Sequence, residues 1–147
     1  MIDVSLRKAE EADFKKIFSL IKELAEFEKS LDQLTNTPER MKAEKDFFNC
    51  FVIETPEHEM VGYIVYYYCY YTWVGKAMYM DDLYIRPKFR KQGIGLWALN
   101  RMIELARQTG CHRIRWQVLD WNTPAINLYR KAGAKVGSPD RNCDIVL

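Results

Sequence analysis

Between Arg90 and Gly95 the chain reads Arg-Lys-Gln-Gly-Ile-Gly, and Leu96, Leu99, Ile103 and Ala106 follow at helical spacing. A glycine loop that opens directly onto a helix offers the chemistry of anion binding. Glycines let backbone N–H groups approach a phosphate, and the helix start supplies unpaired donors and a partial positive charge. Lys88, Arg90 and Lys91 add full charges, so the loop suits a diphosphate. A Gly-x-Gly pair by itself does no more than make a tight turn; the strand before it and the helix after it give the pattern meaning. No Gly-Lys-Ser/Thr follows, which excludes a Walker loop, and the full Gly-x-Gly-x-x-Gly spacing of a Rossmann fingerprint is lacking. Upstream, Asp81 and Asp82 lie side by side in a run of strand-forming residues, where a carboxylate is costly to bury unless it is paired or solvated. Strand alternation sends the two to opposite faces, so one is expected to serve a ligand and the other the structure.

The elements that must hold these groups follow from periodicity. Val4 and Leu6 alternate with Ser5 and Arg7 in a short strand. Phe14, Ile17, Phe18, Ile21, Leu24 and Ala25 mark an amphipathic helix over 13–28. A more polar helix is expected within 35–46, a strand over 47–53, a turn at 55–59 and a long strand over 60–71. Gly75 reverses the chain into a strand over 77–85, antiparallel to the last, and Arg86 and Pro87 end it. The helix after the glycine loop runs up to Gly110. A strand over 113–119 follows, and the strand–helix–strand order implies a right-handed crossover with those two strands parallel. A further helix begins with Thr123 as N-cap and Pro124 at its first position, and it stops at Gly133. A short final strand is expected at 144–147. The sum is an α/β (α+β) domain over 1–147 with a mixed, mostly antiparallel sheet and helices on both faces.

Composition narrows the class. With 147 residues, 48% hydrophobic and 29% charged, the chain suits one folded domain and not a disordered or fibrous segment. Twenty-two basic residues against twenty acidic ones leave a net charge of +2, too weak a field to imply nucleic acid or a membrane surface as partner. The longest apolar run, 61–74, is shorter than the roughly 20 residues of a bilayer span. No basic start, apolar core and cleavage site mark a secretory signal, so the expected setting is cytoplasmic. Cys50, Cys69, Cys111 and Cys143 make no CxxC pair, and no metal site is expected. His112 beside Cys111 faces the other way on a strand, which argues against a Cys–His nucleophile. The tyrosines from Tyr63 to Tyr71 carry no basic stripe and read as core and interface.

The glycine loop resembles the R-x-x-G-x-G motif of the GNAT acetyltransferases, and the likeness runs over nearly the whole chain. More narrowly, Leu24-Ala25-Glu26-Phe27-Glu28-Lys29, Tyr79-Met80-Asp81-Asp82-Leu83-Tyr84, Val118-Leu119-Asp120-Trp121-Asn122 and Asn127-Leu128-Tyr129-Arg130-Lys131-Ala132-Gly133-Ala134 resemble blocks of the diamine acetyltransferase group, which includes spermidine/spermine and thialysine acetyltransferases. The resemblance implies acetyl-CoA as co-substrate and no metal. It places the backbone of Leu83, Tyr84 and Ile85 along the pantetheine arm. Arg90, Lys91, Gln92, Gly93, Ile94, Gly95 and Leu96 take the pyrophosphate, while Asn122, Thr123, Pro124 and Ala125 complete the coenzyme site. Relatives commonly carry Gly where this chain has Lys91.

By the same resemblance Tyr129 is the general acid. A thiolate leaving group, with a reference pKa near 8.5, lies below a phenol near 10, so proton donation by tyrosine helps without being obligatory. Asp81 matches the acidic residue beside the amine, where relatives usually have Glu; an alkyl ammonium with pKa near 10.4 must lose a proton before it attacks. Asp82, Phe27, Glu28 and Trp73 are the expected substrate contacts. The implied activity is N-acetylation of a primary amine on a small molecule by direct transfer, in a homodimer. Tyr71 replaces an Asp of the polyamine-specific branch, and 138–147 lacks the expected Trp-containing block; both leave polyamines, diamines and thialysine-like amino acids open as acceptors. The rivals are a protein or peptide N-acetyltransferase and a non-catalytic acetyl-CoA sensor.

Overall fold

The computed structural model describes residues 1–147. The chain forms two compact units, Met1–Gln117 and Val118–Leu147. The first contains β1 (Ser5–Lys8), α1 (Phe14–Phe27), α2 (Pro38–Ala43), β2 (Asn49–Glu54), β3 (Met60–Tyr71), β4 (Gly75–Ile85), α3 (Ile94–Gln108) and β5 (Arg113–Arg115). The strands form one sheet in the order β1-β2-β3-β4-β5. The first three pairings are antiparallel, and β4 with β5 is parallel, as the crossover through α3 requires.

The sheet is covered because its strands are apolar on both sides. Val52, Tyr63 and Tyr84 alternate onto one face, where α1 buries Phe14, Ile17, Phe18 and Leu20 and α2 adds Met41. Ile53, Ile64, Met78 and Met80 are fully buried on the other, where α3 brings Ile94, Ala98, Leu99 and Met102. Glu54 is the one buried charged residue, and the guanidinium of Arg7 neutralises it at 3.1 Å.

Two boundaries differ from the sequence reading in ways that matter. β5 is three residues long and does not extend over 113–119. Its ladder with β4 ends at Tyr79 opposite Arg115, just before a register shift that leaves Asp81 without a partner on β3. Such a bulge bends and twists its strand, which carries the rest of β4 away from a parallel neighbour. The edge of β4 beyond Tyr79 therefore has no strand beside it. Tyr71 and Gly75 pair across the hairpin, so β4 starts two residues earlier than expected.

The second unit holds α4 (Thr123–Lys131). Its N-cap is Asn122, not Thr123: the Asn122 side chain accepts from the Ala125 N–H at 3.4 Å, and Pro124 falls one position later than expected. Gly133, at φ 94°, lies just beyond the helix end. Residues 144–147 form no strand; Ile145 and Val146 are 88% and 96% exposed, and a strand needs a ladder partner to persist.

Candidate active site

The glycine loop is built to present backbone. Gly93 caps α3 at φ 81°, a left-handed conformation that glycine adopts without steric cost, and a Cβ placed there would meet nothing within 4 Å. The space before the helix is therefore open. The N–H groups of residues 91–96 have no protein acceptor; the first return bond of the helix runs from the Trp97 N–H to the Gly93 carbonyl. Lys91 also adopts the left-handed region, at φ 61°, which gives a physical reason for glycine at this place in relatives. This row of free donors fits a diphosphate, and the unpaired edge of β4 at Leu83, Tyr84 and Ile85 fits an extended arm bearing amide groups.

The cations around the loop divide differently from the expectation that all three aid the anion. Arg90 donates from Nε to the Ile85 carbonyl at 2.8 Å, and its guanidinium lies 5.1 Å and 5.4 Å from the ring centres of Phe27 and Tyr84. Lys88 is paired with Glu59. Lys91 alone makes no such contact, because Arg90 and Lys88 are drawn to nearer acceptors. Gln92 accepts the Ile2 N–H at 3.3 Å, and Ile94 is buried as the first rung of α3.

At the bulge, the expected alternation of Asp81 and Asp82 gives way. Asp82 lies opposite Val65 on the α1 face, and its Oδ2 accepts the Tyr63 hydroxyl at 2.8 Å. Asp81, the extra residue, is exposed and makes no hydrogen bond or ion pair. Its charge is nevertheless felt by Asp82, Glu28 and Tyr63, which places the three carboxyls of Glu28, Asp81 and Asp82 in one cluster. Desolvation, then Asp81 and Glu28, push Asp82 up to about 6 against the lowering effect of the Tyr63 hydroxyl. Asp81 is also raised by desolvation, and Glu28 is raised by desolvation and by Asp81. Tyr63 is held far above its ordinary value by burial and then by Asp82, so it stays a donor. Mutual repulsion makes such a cluster a receiver of cations and protons.

Phe27, 41% exposed, ends α1 beside Glu28, which is its C-cap. A cleft of about 570 Å³ opens along this end of α1, between Glu23 and Phe27 on one side and Tyr84, Arg86 and Arg90 on the other. Tyr84 donates to Glu23 at 3.0 Å across it. Trp73 does not wall it: the residue sits in the turn between β3 and β4 and is 98% exposed, since a tight hairpin throws its tip into solvent. Asn122, Thr123, Pro124, Ala125 and Tyr129 belong to the second unit, at the start and near the end of α4; Tyr129 is half-buried. No group of three His, Cys, Asp or Glu side chains is arranged to hold a metal ion. Sequence reasoning missed Tyr63 as the partner of Asp82; the signal was the tyrosine run facing the acidic pair, read only as core.

A mixed sheet with a free-donor loop at the head of α3 and an acidic cluster between β4 and the end of α1 defines an acyl-transfer scaffold, and the chain belongs to the acetyltransferase (GNAT) family, whose model matches residues 9–134. It is similar to the thialysine N-epsilon-acetyltransferase of Sus scrofa, 40% identical over 92% of this chain and 86% of that protein. The enzyme of the same name from Caenorhabditis elegans is 45% identical over 77% of this chain and 71% of that one. In fold it is similar to an aminoglycoside acetyltransferase from an uncultured soil metagenomic sample, with a TM-score of 0.78 at 18% identity, covering 99% of this chain and 100% of that chain.

Proposed function

We propose that this acetyltransferase moves the acetyl group of acetyl-CoA directly onto the primary amine of a small cationic molecule, a polyamine, a diamine or a thialysine-like amino acid. The observation that carries the reading is the acidic cluster that Glu28, at the end of α1, makes with Asp81 and Asp82 of β4, the strand that leads into the glycine loop. When bound, acetyl-CoA would supply an activated thioester, and the free N–H groups of residues 91–96 would hold its diphosphate. The names of the relatives favour small amines over protein substrates.

Glu28 and Asp81 draw the ammonium in, with Phe27 as an apolar wall. Asp81, exposed and without a partner, accepts the amine proton directly or through a water, which the shorter reach of Asp relative to Glu favours. Asp82, fixed by Tyr63, keeps the cluster negative near neutral pH as it ionises. The amine attacks the thioester carbonyl and expels the thiolate in one transfer with no covalent enzyme intermediate, and the resemblance makes Tyr129 the donor of a proton to that thiolate. The same resemblance supports a cytoplasmic homodimer, with Trp73 a contact of the assembled site; no helix of the chain is long and apolar enough to cross a membrane.

A thiol-release assay across polyamines, lysine analogues and peptides tests this reading. Release is expected with small amines and not with peptides, and no release with any amine overturns it in favour of a sensor. Tyr129→Phe should lower kcat about 10- to 100-fold while coenzyme binding changes little. Unchanged turnover removes Tyr129 as the acid.

A further inference from the structure

The face of the sheet that carries the acidic cluster also carries an opposite pole. At the hairpin end of β3, the guanidiniums of Arg113 and Arg115 lie 5.1 Å and 4.9 Å from the ring centre of Tyr71. The Arg115 charge is felt at the Tyr71 hydroxyl, against the larger raising effect of burial there. Neither arginine has a carboxylate within ion-pair distance, so two positive charges stand together with only an aromatic ring between them. Such a pair is unusual without an anion to balance it, because guanidinium is the side chain best shaped to take a carboxylate in two parallel hydrogen bonds.

The two poles are joined by a floor. Tyr67 and Tyr79 stack at 5.4 Å with their planes 22° apart, directly between Asp81 and Tyr71 along the strands. The Tyr79 hydroxyl feels Asp81, Tyr71 and Arg115 together. In register Arg115 stands opposite Tyr79, two residues from Asp81 and one strand across. That offset is about 8 Å from strand spacing and rise, close to the extended span between the side-chain amine and the carboxylate of a lysine-length amino acid.

Resting on the function proposed above, we infer that Arg115, with Arg113 and Tyr71, binds the carboxylate of the acceptor, so that the substrate is an amino acid bearing a distal primary amine and not a plain polyamine. The distal amine lies at Glu28 and Asp81, the aliphatic chain crosses Tyr67 and Tyr79, and the carboxylate ends on the arginines. A polyamine in the same place sets its second ammonium against two guanidiniums, which like-charge repulsion opposes. The presence of Tyr71 in place of an acidic residue then acts twice: it removes an anchor for a second ammonium and supports the cations that recognise a carboxylate.

The test compares kcat/KM for thialysine with that for bis(2-aminoethyl) sulfide, its decarboxylated counterpart, in the full chain with acetyl-CoA. The wild type should favour thialysine about tenfold or more, and Arg115→Gln should erase the preference, chiefly by raising KM for thialysine. Tyr71→Asp, which puts an anion between the arginines, should turn the preference toward the diamine and serves if the first variant does not fold. A wild type that prefers the diamine, or variants that keep the wild-type ratio, overturn the inference while leaving acetyl transfer to small amines standing. No thiol release with either compound overturns the functional reading and this inference with it.

Discussion

The acidic bulge within β4 and the glycine loop that follows the strand are built by different physics. At the loop the free groups are backbone N–H donors, fixed by two left-handed residues, Lys91 and Gly93, and by the start of α3. The identity of the side chains matters little beyond the conformations they allow. At the bulge everything depends on side chains converging from elements far apart in the chain: Glu28 from the end of α1, Tyr63 from β3, Asp81 and Asp82 from β4. One site is local and rigid, the other assembled and titratable. Substitutions should therefore break the first by conformation and charge, and tune the second by pH.

The largest effect is expected at Gly93. Gly93→Asp forces a side chain into the left-handed region and sets a carboxylate against the anion site, so acetyl-CoA should no longer raise the Tm. Gly110→Asp makes the comparison sharp, because Gly110 has the same backbone conformation, at φ 78°, and the same open space at the far end of α3. Both variants should lose on the order of 1–2 kcal/mol, and only the first should lose the ligand shift. An undiminished shift in Gly93→Asp refutes the loop as the diphosphate site.

A smaller, pH-dependent effect is expected at the bulge. Asp82 is neutral below about 6 and charged above it, and a group that attracts a cation works when charged. In the wild type kcat/KM should rise through about pH 6, and Asp82→Asn should remove that limb and cost about tenfold at pH 7. Tyr63→Phe removes the one contact that favours the charged form, so it should move the limb to higher pH. Stability runs the other way. With its folded value raised from 3.8 to about 6, neutral Asp82 stabilises the fold at acid pH and that contribution is lost as pH rises through about 6. Denaturant midpoints from pH 4 to 7 should show this slope in the wild type and not in Asp82→Asn.

The smallest effect is expected at Lys91. Lys91→Gly relieves a left-handed non-glycine residue but loosens the unfolded chain, for a net gain of about 0.5–1 kcal/mol by denaturant unfolding. Coenzyme affinity should change little if the backbone, and not the Lys91 side chain, holds the phosphates; a loss of tenfold or more would make the loop resemble the bulge in depending on its side chains.

Where local periodicity and turn chemistry decide, the sequence was sufficient. Phe14, Ile17 and Phe18 marked the buried stripe of α1. Gly93 and Gly95 marked the loop, and the strand–helix–strand order implied the parallel pairing of β4 and β5. Element ends were less legible: the Asn122 cap competed with Thr123, and the length of β5 depended on a partner strand that bends away. The resemblance to a family named residues, but it did not say which of them meet.

Only the tertiary structure decided the side-chain geometry. Nothing in the run Tyr79-Met80-Asp81-Asp82-Leu83-Tyr84 announces a bulge, because an extra residue in a ladder is defined by the opposite strand. The bulge undoes the alternation of the two aspartates, ends β5 and brings two carboxyls of β4 to the one that caps α1. The Arg113–Tyr71–Arg115 group has the same origin, a parallel register between strands separated by all of α3. The amino-acid order by itself determined where the helices, the long antiparallel strands and the glycine loop would fall, since those depend on near neighbours and on φ. Which charges face one another depends on register and twist, which are properties of pairs of strands.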